Sequence, residues 1–210
     1  MFDPKKILVL SPHTDDGELG CGGTIARLVH EKKEVHYVAF SSCSKSLPHG
    51  AQPDTLVKEC KAAMKQLGVN EGKVMIYDFE VREFKDKRQE ILDEMISLDK
   101  YIHPDLILIP SATDKHQDHQ VIHQEAMRAF KNSSVMGYEE PWNQSRFDST
   151  FYMKISDNHL FSKIKALEQY ESQKHRAYIQ EDFIRSLARV RGVQADSHFA
   201  EAFEVYRILA

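Results

Sequence analysis

The sequence is short of the features that would send it to several large protein classes. Its three cysteines, Cys21, Cys43 and Cys60, are odd in number and form no C-x-x-C pair. That argues against a disulfide framework and fits a reducing compartment. No apolar run approaches the length of a membrane span; the one near the start, ILVLS after MFDPKK, is also too short for a signal peptide and is followed by no cleavage site. There is no excess of basic charge: 28 Lys and Arg against 32 Asp and Glu give a net charge of −4. Broad electrostatic binding to nucleic acid or to an anionic membrane is therefore disfavoured. Internal repeats, low-complexity tracts and Gly/Ser-rich linkers are missing too. What remains is a 210-residue chain, 41% hydrophobic and 29% charged, which suits one globular domain over residues 1–210 with the cytoplasm as its default location. Histidine is the residue in surplus: the count of 11 is about twice ordinary usage.

The first half alternates strand and helix signals. Continuous apolar runs at 6–11, 34–40, 74–79 and 106–110 read as strands buried on both faces. Between them lie helical patterns at 24–32, 55–67 and 88–102, the second closed by Gly68 and the last by Pro104. Such alternation implies right-handed βαβ units. The expected fold class is α/β, a Rossmann-like, mostly parallel sheet flanked by helices, with its first four strands ordered 3-2-1-4. The later chain is less regular: helices at 121–130, 158–171 and 176–191, mixed strand and turn signals at 135–143, and strands at 150–156 and 202–208. It reads as continuation and covering of the same sheet. Ligands in such sheets bind beyond the carboxyl ends of the strands where the order reverses. A site should therefore lie just after residues 11 and 110.

Those two places hold Ser11-Pro12-His13-Thr14-Asp15-Asp16-Gly17-Glu18 and Ser111-Ala112-Thr113-Asp114-Lys115-His116-Gln117-Asp118-His119. Loops at strand ends are often polar, but two imidazole- and carboxylate-rich loops meeting at one switch point are a narrower coincidence. A catalytic zinc ion takes three protein ligands and keeps one position open. His13 and Asp16 can reach one ion, with His119 as the third ligand. Asp15 is then placed to take a proton from water. His116 can donate a proton or stabilise an oxyanion, and Asp118 can hold that imidazole in its charged form.

On these motifs the chain resembles the PIG-L/LmbE family of zinc-dependent N-acetyl-sugar deacetylases. The matching residues are His13-Thr14-Asp15-Asp16, Leu19-Gly20-Cys21-Gly22-Gly23-Thr24 and His116-Gln117-Asp118-His119. Weaker similarity runs through Glu59, Ala62-Ala63, Leu67-Gly68 and Ala200-Glu201-Ala202-Phe203. The resemblance implies one Zn²⁺ on His13, Asp16 and His119, Asp15 as general base and His116 as acid or oxyanion partner. It also implies a small-molecule partner, an N-acetylated, GlcNAc-type sugar conjugate. The chain departs from the family where Thr14 replaces a proline, where Gly17 stands for the usual glutamate with Glu18 one place later, and where Ser41-Ser42-Cys43-Ser44 lacks the arginine- and glycine-containing loop of many relatives. Arg82, Glu18, Ser42 and Trp142 are the candidate substrate contacts: Arg82 sits in a loop that lines the pocket in similar proteins, and Trp142 suits either packing or stacking on a sugar ring.

Other readings stay open. A metal-dependent phosphoesterase would favour carboxylates over the two histidines among the ligands. A sugar- or nucleotide-sugar-binding protein without activity would not need both a base and an acid. The glycines at 20, 22 and 23 do not spell G-x-G-x-x-G, since Ile25 takes the last position. His30, His36, His49, His103, His123, His159, His175 and His198 receive no role. The sequence leaves room for a homo-oligomer.

Overall fold

The computed structural model describes residues 3–47 and 50–209. Met1 and Phe2 of the N-terminal stretch, His49 and Ala210 lie outside the described residues. The chain builds one sheet of seven strands in the order β3-β2-β1-β4-β5-β7-β6. These are β1 (Lys6–Ser11), β2 (Glu34–Ala39), β3 (Val74–Ile76), β4 (Leu106–Pro110), β5 (Ser134–Tyr138), β6 (Phe151–Ile155) and β7 (Phe199–Arg207). β3 to β5 and the strands between them run parallel, as the 3-2-1-4 expectation requires. The last two depart from that pattern. β7 enters between β5 and β6 and runs antiparallel to both, and nothing local in 199–207 signals that insertion.

Helices α1 (Asp16–His30), α2 (Thr55–Gln66), α3 (Arg88–Ile102), α4 (Gln117–Ala129), α5 (Asp157–Leu167) and α6 (Glu181–Gln194) cover the sheet. Strand residues of alternate parity feed two cores, as the two-residue strand period dictates. Ile7, Val9, Tyr37 and Leu108 face one core, with α1, α2, α5 and α6; Leu8, Leu10, Val38 and Ile107 face the other, with α3 and α4. Ile7 through Leu10 are wholly buried, which explains why β1 is an unbroken apolar run.

Two helices begin earlier than their sequence patterns suggest, and both starts form the site. α1 starts at Asp16, not Thr24. It bends at Cys21 (φ −144°, ψ 26°), so the expected 24–32 segment is its second limb. The first limb is masked by glycines that carry a helix penalty but permit close packing: a Cβ on Gly20 would lie 2.3 Å from the Tyr138 ring. At the bend Glu201 of β7 accepts from the amides of Gly23 (3.0 Å) and Thr24 (2.6 Å), and from Lys163 Nζ at 2.6 Å. α4 starts at Gln117 instead of Val121, with His116 as its N-cap: His116 Nδ1 accepts the Asp118 amide at 3.2 Å. A histidine is an uncommon cap, so the usual start signals did not mark it.

Candidate active site

β1 and β4 are neighbours, so the loops leaving their carboxyl ends meet. One loop turns into α1 and the other into α4, which brings His13, Asp15 and Asp16 against His116, Asp118 and His119. His13 Nδ1, Asp16 Oδ2 and His119 Nε2 converge: 3.0 Å separates the first from the second, 3.2 Å the second from the third, and 3.3 Å the two ring nitrogens. Tetrahedral zinc with nitrogen and oxygen ligands at about 2.0–2.1 Å sets neighbouring ligand atoms about 3.3 Å apart. The triangle fits such an ion. Two imidazoles and one carboxylate also suit zinc better than they suit magnesium or calcium.

Each histidine is braced on its far side. His13 Nε2 lies 3.0 Å from Asp118 Oδ2, and His119 Nδ1 lies 2.9 Å from Asp114 Oδ2 and 3.5 Å from Glu140 Oε2. Carboxylates on the second ring nitrogen fix which nitrogen faces inward, as they do for metal-binding histidines. The electrostatics agree. Burial opposes charge on His13, but Asp16 and Asp118 outweigh it and hold the ring at about 9. His119 is likewise pushed up, against its burial, by Asp16 and Glu140. The cluster favours positive charge at its centre.

The remaining residues divide by position. Asp15 lines the cleft beside the triangle. Burial and the neighbouring Asp16 raise its carboxyl to about 6, and no side chain donates to it among the described residues. His116 also lines the cleft. Its Nδ1 is occupied by the Asp118 amide, so the neutral ring carries its proton on Nε2. Burial, with the charges of His13 and His119, pushes it down to about 4. The structure places the Asp118 carboxylate on His13; from His116 Nδ1 it stands 4.0 Å away. Asp118 Oδ2 also accepts the Arg82 amide at 2.6 Å.

The candidate substrate contacts separate. Arg82 and Trp142 reach the cleft, whose volume is about 270 Å³. Trp142 is half-buried and stacks on Tyr178 at 4.3 Å and 11°, so one of its faces is covered. Ser42 turns away and bonds to Asp78, outside this cleft. Glu18 lies wholly buried beneath the loop, where it accepts from the hydroxyls of Tyr37 and Tyr170; burial raises its carboxyl to about 8. The cleft also takes in Cys43, Gln173, Arg176 and Tyr178. Burial pushes the Cys43 thiol up to about 12, which leaves it a poor nucleophile. Sequence reasoning missed Asp114, Glu140, Arg176 and Tyr178. Asp114 could have been found from its place five residues before His119, whereas the other three come from segments joined to the site only by tertiary folding.

Comparison with known proteins places this geometry. The pattern of the family described as PIG-L: GlcNAc-PI de-N-acetylase matches residues 8–130. The chain is 26% identical over 182 residues to an uncharacterized deacetylase, YaiS, of Escherichia coli strain K12, covering 80% of this chain and 91% of that one. It is 24% identical over 223 residues to a diacetylchitobiose deacetylase of Thermococcus kodakarensis, covering 95% and 82%. The solved structure of GalB, a 4-carboxy-2-hydroxymuconate hydratase of Pseudomonas putida KT2440, shares the fold with a TM-score of 0.78 at 20% identity and 98% coverage of both chains. That hydratase likeness speaks for the fold alone, and the scaffold by itself does not choose a reaction.

Proposed function

The chain belongs to the PIG-L family, and from that membership together with the converging donors we propose that it is a zinc-dependent hydrolase removing the acetyl group from an N-acetylamino sugar conjugate. The observation that carries the reading is the triangle of His13, Asp16 and His119, with the Asp15 carboxylate and the His116 imidazole on the wall of the same cleft. His13, Asp16 and His119 would hold the ion. When bound, zinc supplies a Lewis acid that makes water more acidic and an amide carbonyl more electrophilic.

The protein's own groups do the rest. Asp15 accepts a proton from the attacking water. The oxygen adds to the amide carbon, and the carbonyl oxygen gains negative charge. His116 donates a hydrogen bond from Nε2–H to that oxygen. The C–N bond breaks, and the amine leaves with the proton Asp15 carries, giving acetate and a free amino sugar. The sequence suggests His116 as the proton donor to the amine. Its occupied Nδ1 and low basicity favour an oxyanion donor, with Asp15 moving the proton in both directions. Relatives that act on acetylated sugars support the substrate class.

The test is a free-amine release assay on N-acetylglucosaminides, run beside metal analysis. Purified protein should contain zinc and lose activity to a chelator. Asp15→Asn should retain the metal while kcat drops by about 10²-fold or more. Full activity in Asp15→Asn, or unchanged metal content in both His13→Ala and His119→Ala, would refute the assignment.

A further inference from the structure

The cleft has a charge asymmetry that hydrolysis of the amide does not use. Asp15 and Asp16 are the carboxylates on its wall, and both belong to the hydrolytic end. Two guanidinium groups, Arg82 and Arg176, also line it, and neither is paired with a carboxylate among the described residues. Arg88 and Arg191, in contrast, end on Glu125 and Glu139.

Arg176 is fixed by neutral partners. Its Nε donates to Gln173 Oε1 at 2.6 Å and its Nη1 to the Tyr178 hydroxyl at 2.7 Å. Gln173 is itself buried, and Tyr178 is stacked on Trp142. The guanidinium is thus oriented by neutral partners; its charge favours the ionised form of Asp15 without a salt bridge to it, and Nη2 has no hydrogen-bond partner among the described residues. Arg82 is held by its backbone: the amide is tied to Asp118 at 2.6 Å, and φ is +72°. That left-handed conformation costs a non-glycine residue about 1 kcal/mol or more and persists only where the surroundings impose it. Its side chain has no hydrogen-bond or ion-pair partner among the described residues. An oriented arginine and a second one without a side-chain partner among the described residues, both on the wall of one cleft, are suited to a phosphate or carboxylate, which guanidinium groups bind through paired hydrogen bonds.

Resting on the deacetylase reading above, we propose that the group attached to the substrate's amino sugar is anionic, and that Arg82 and Arg176 hold its phosphate or carboxylate. The specificity of this enzyme lies in that contact.

Three matched probes test it: the methyl glycoside of N-acetylglucosamine, its carboxymethyl glycoside and N-acetylglucosamine 1-phosphate. For the zinc-loaded protein, kcat/KM should be about tenfold or more higher on a charged probe than on the methyl glycoside. The better of the two charged probes identifies the anion. Arg176→Gln and Arg82→Glu should each shrink that preference by about tenfold, Arg82→Glu through KM rather than kcat; any effect of Arg176→Gln on Asp15 falls on charged and neutral probes alike and leaves their ratio unmoved, and Arg82 is exposed, so its replacement leaves folding intact. Equal rates on charged and neutral probes, or a preference that survives both substitutions, would overturn the proposal while leaving the deacetylase reading in place. If no probe releases amine, calorimetric binding of the same three probes decides separately. Charged probes that bind the wild type but not the two variants support the arginine contact, and charged probes that bind no better than the neutral one refute it.

Discussion

Replacing Asp118 separates charge from geometry at the site. One oxygen of this buried carboxylate, Oδ2, serves both His13 Nε2 at 3.0 Å and the Arg82 amide at 2.6 Å, while Oδ1 has no partner. In Asp118→Asn the amide oxygen can occupy the Oδ2 position and accept both bonds, with the NH₂ group where Oδ1 was. The charge is lost while both bonds to Oδ2 are kept, and the new N–H donors stand where Oδ1 has no partner. A hydrogen bond to a charged group is worth about 1.5–3 kcal/mol against about 1 kcal/mol for a neutral one. The difference, about 1 kcal/mol, predicts zinc binding weaker by about five- to tenfold. Asp118→Ala removes both bonds and frees the Arg82 loop, and zinc binding should weaken by about a hundredfold, the upper end for losing such a support. Competition with a chromophoric chelator reads both numbers. Thermal unfolding at fixed excess zinc gives a second reading, since a tenfold weaker site reduces the zinc-dependent stabilisation by about 1.4 kcal/mol. Wild-type affinity in Asp118→Ala, or an asparagine variant weaker than the alanine one, would refute the view that this carboxylate works by bracing His13.

Three further outcomes concern stability. Glu18 in the metal-free protein is raised by burial from an ordinary value of 4.5 to about 8, so the folded chain keeps a proton that the unfolded chain releases above pH 4.5. Its contribution is present below that pH and lost as pH rises towards 8. Glu18→Gln should therefore gain on the wild type by up to a few kcal/mol between pH 5 and pH 8.5; parallel stability curves from urea unfolding in chelator would contradict this. Gly20→Ala forces a methyl group to 2.3 Å from the buried Tyr138 ring and should cost about 1–3 kcal/mol by the same measurement. Glu201→Gln leaves Lys163, only 6% exposed in its side chain, without its anion, and a loss of about 3 kcal/mol is expected. A cost below about 0.5 kcal/mol would show that the pair is not needed.

Legibility followed locality. β1, β4 and α3 were readable because each is a continuous pattern, and α3 spans 88–102 as its apolar stripe suggests. The convergence of His13 and Asp16 with His119 followed from strand order alone, since adjacent parallel strands must deliver their following loops to one edge. The first limb of α1 was hidden because its glycines answer to Tyr138 and Tyr37, residues far along the chain. Asp118 was matched with His116 for nearness in sequence, yet its carboxylate lies on His13, 105 positions away. Glu18 was chosen for standing next to the first motif and Ser42 for following the second strand, and neither side chain ends in the cleft. Arg176 and Tyr178 carry no local signal at all, because only the packing of the later helices brings them over the site.

The placement of β7 sets a timetable. Among the described residues β6 hydrogen-bonds within the sheet only to β7, and β7 alone joins it to β5. During synthesis, which delivers residues in order, both loops of the candidate site and the parallel strands that carry them are available once residue 138 has emerged. β6 must then wait for some fifty further residues before it has a neighbour. Glu201, which ties the bend of α1, arrives with that same late strand. The part of the chain that holds the candidate site's two loops is thus made first and locked last, and the unpaired edge of β5 is the surface most open to mispairing in the interval.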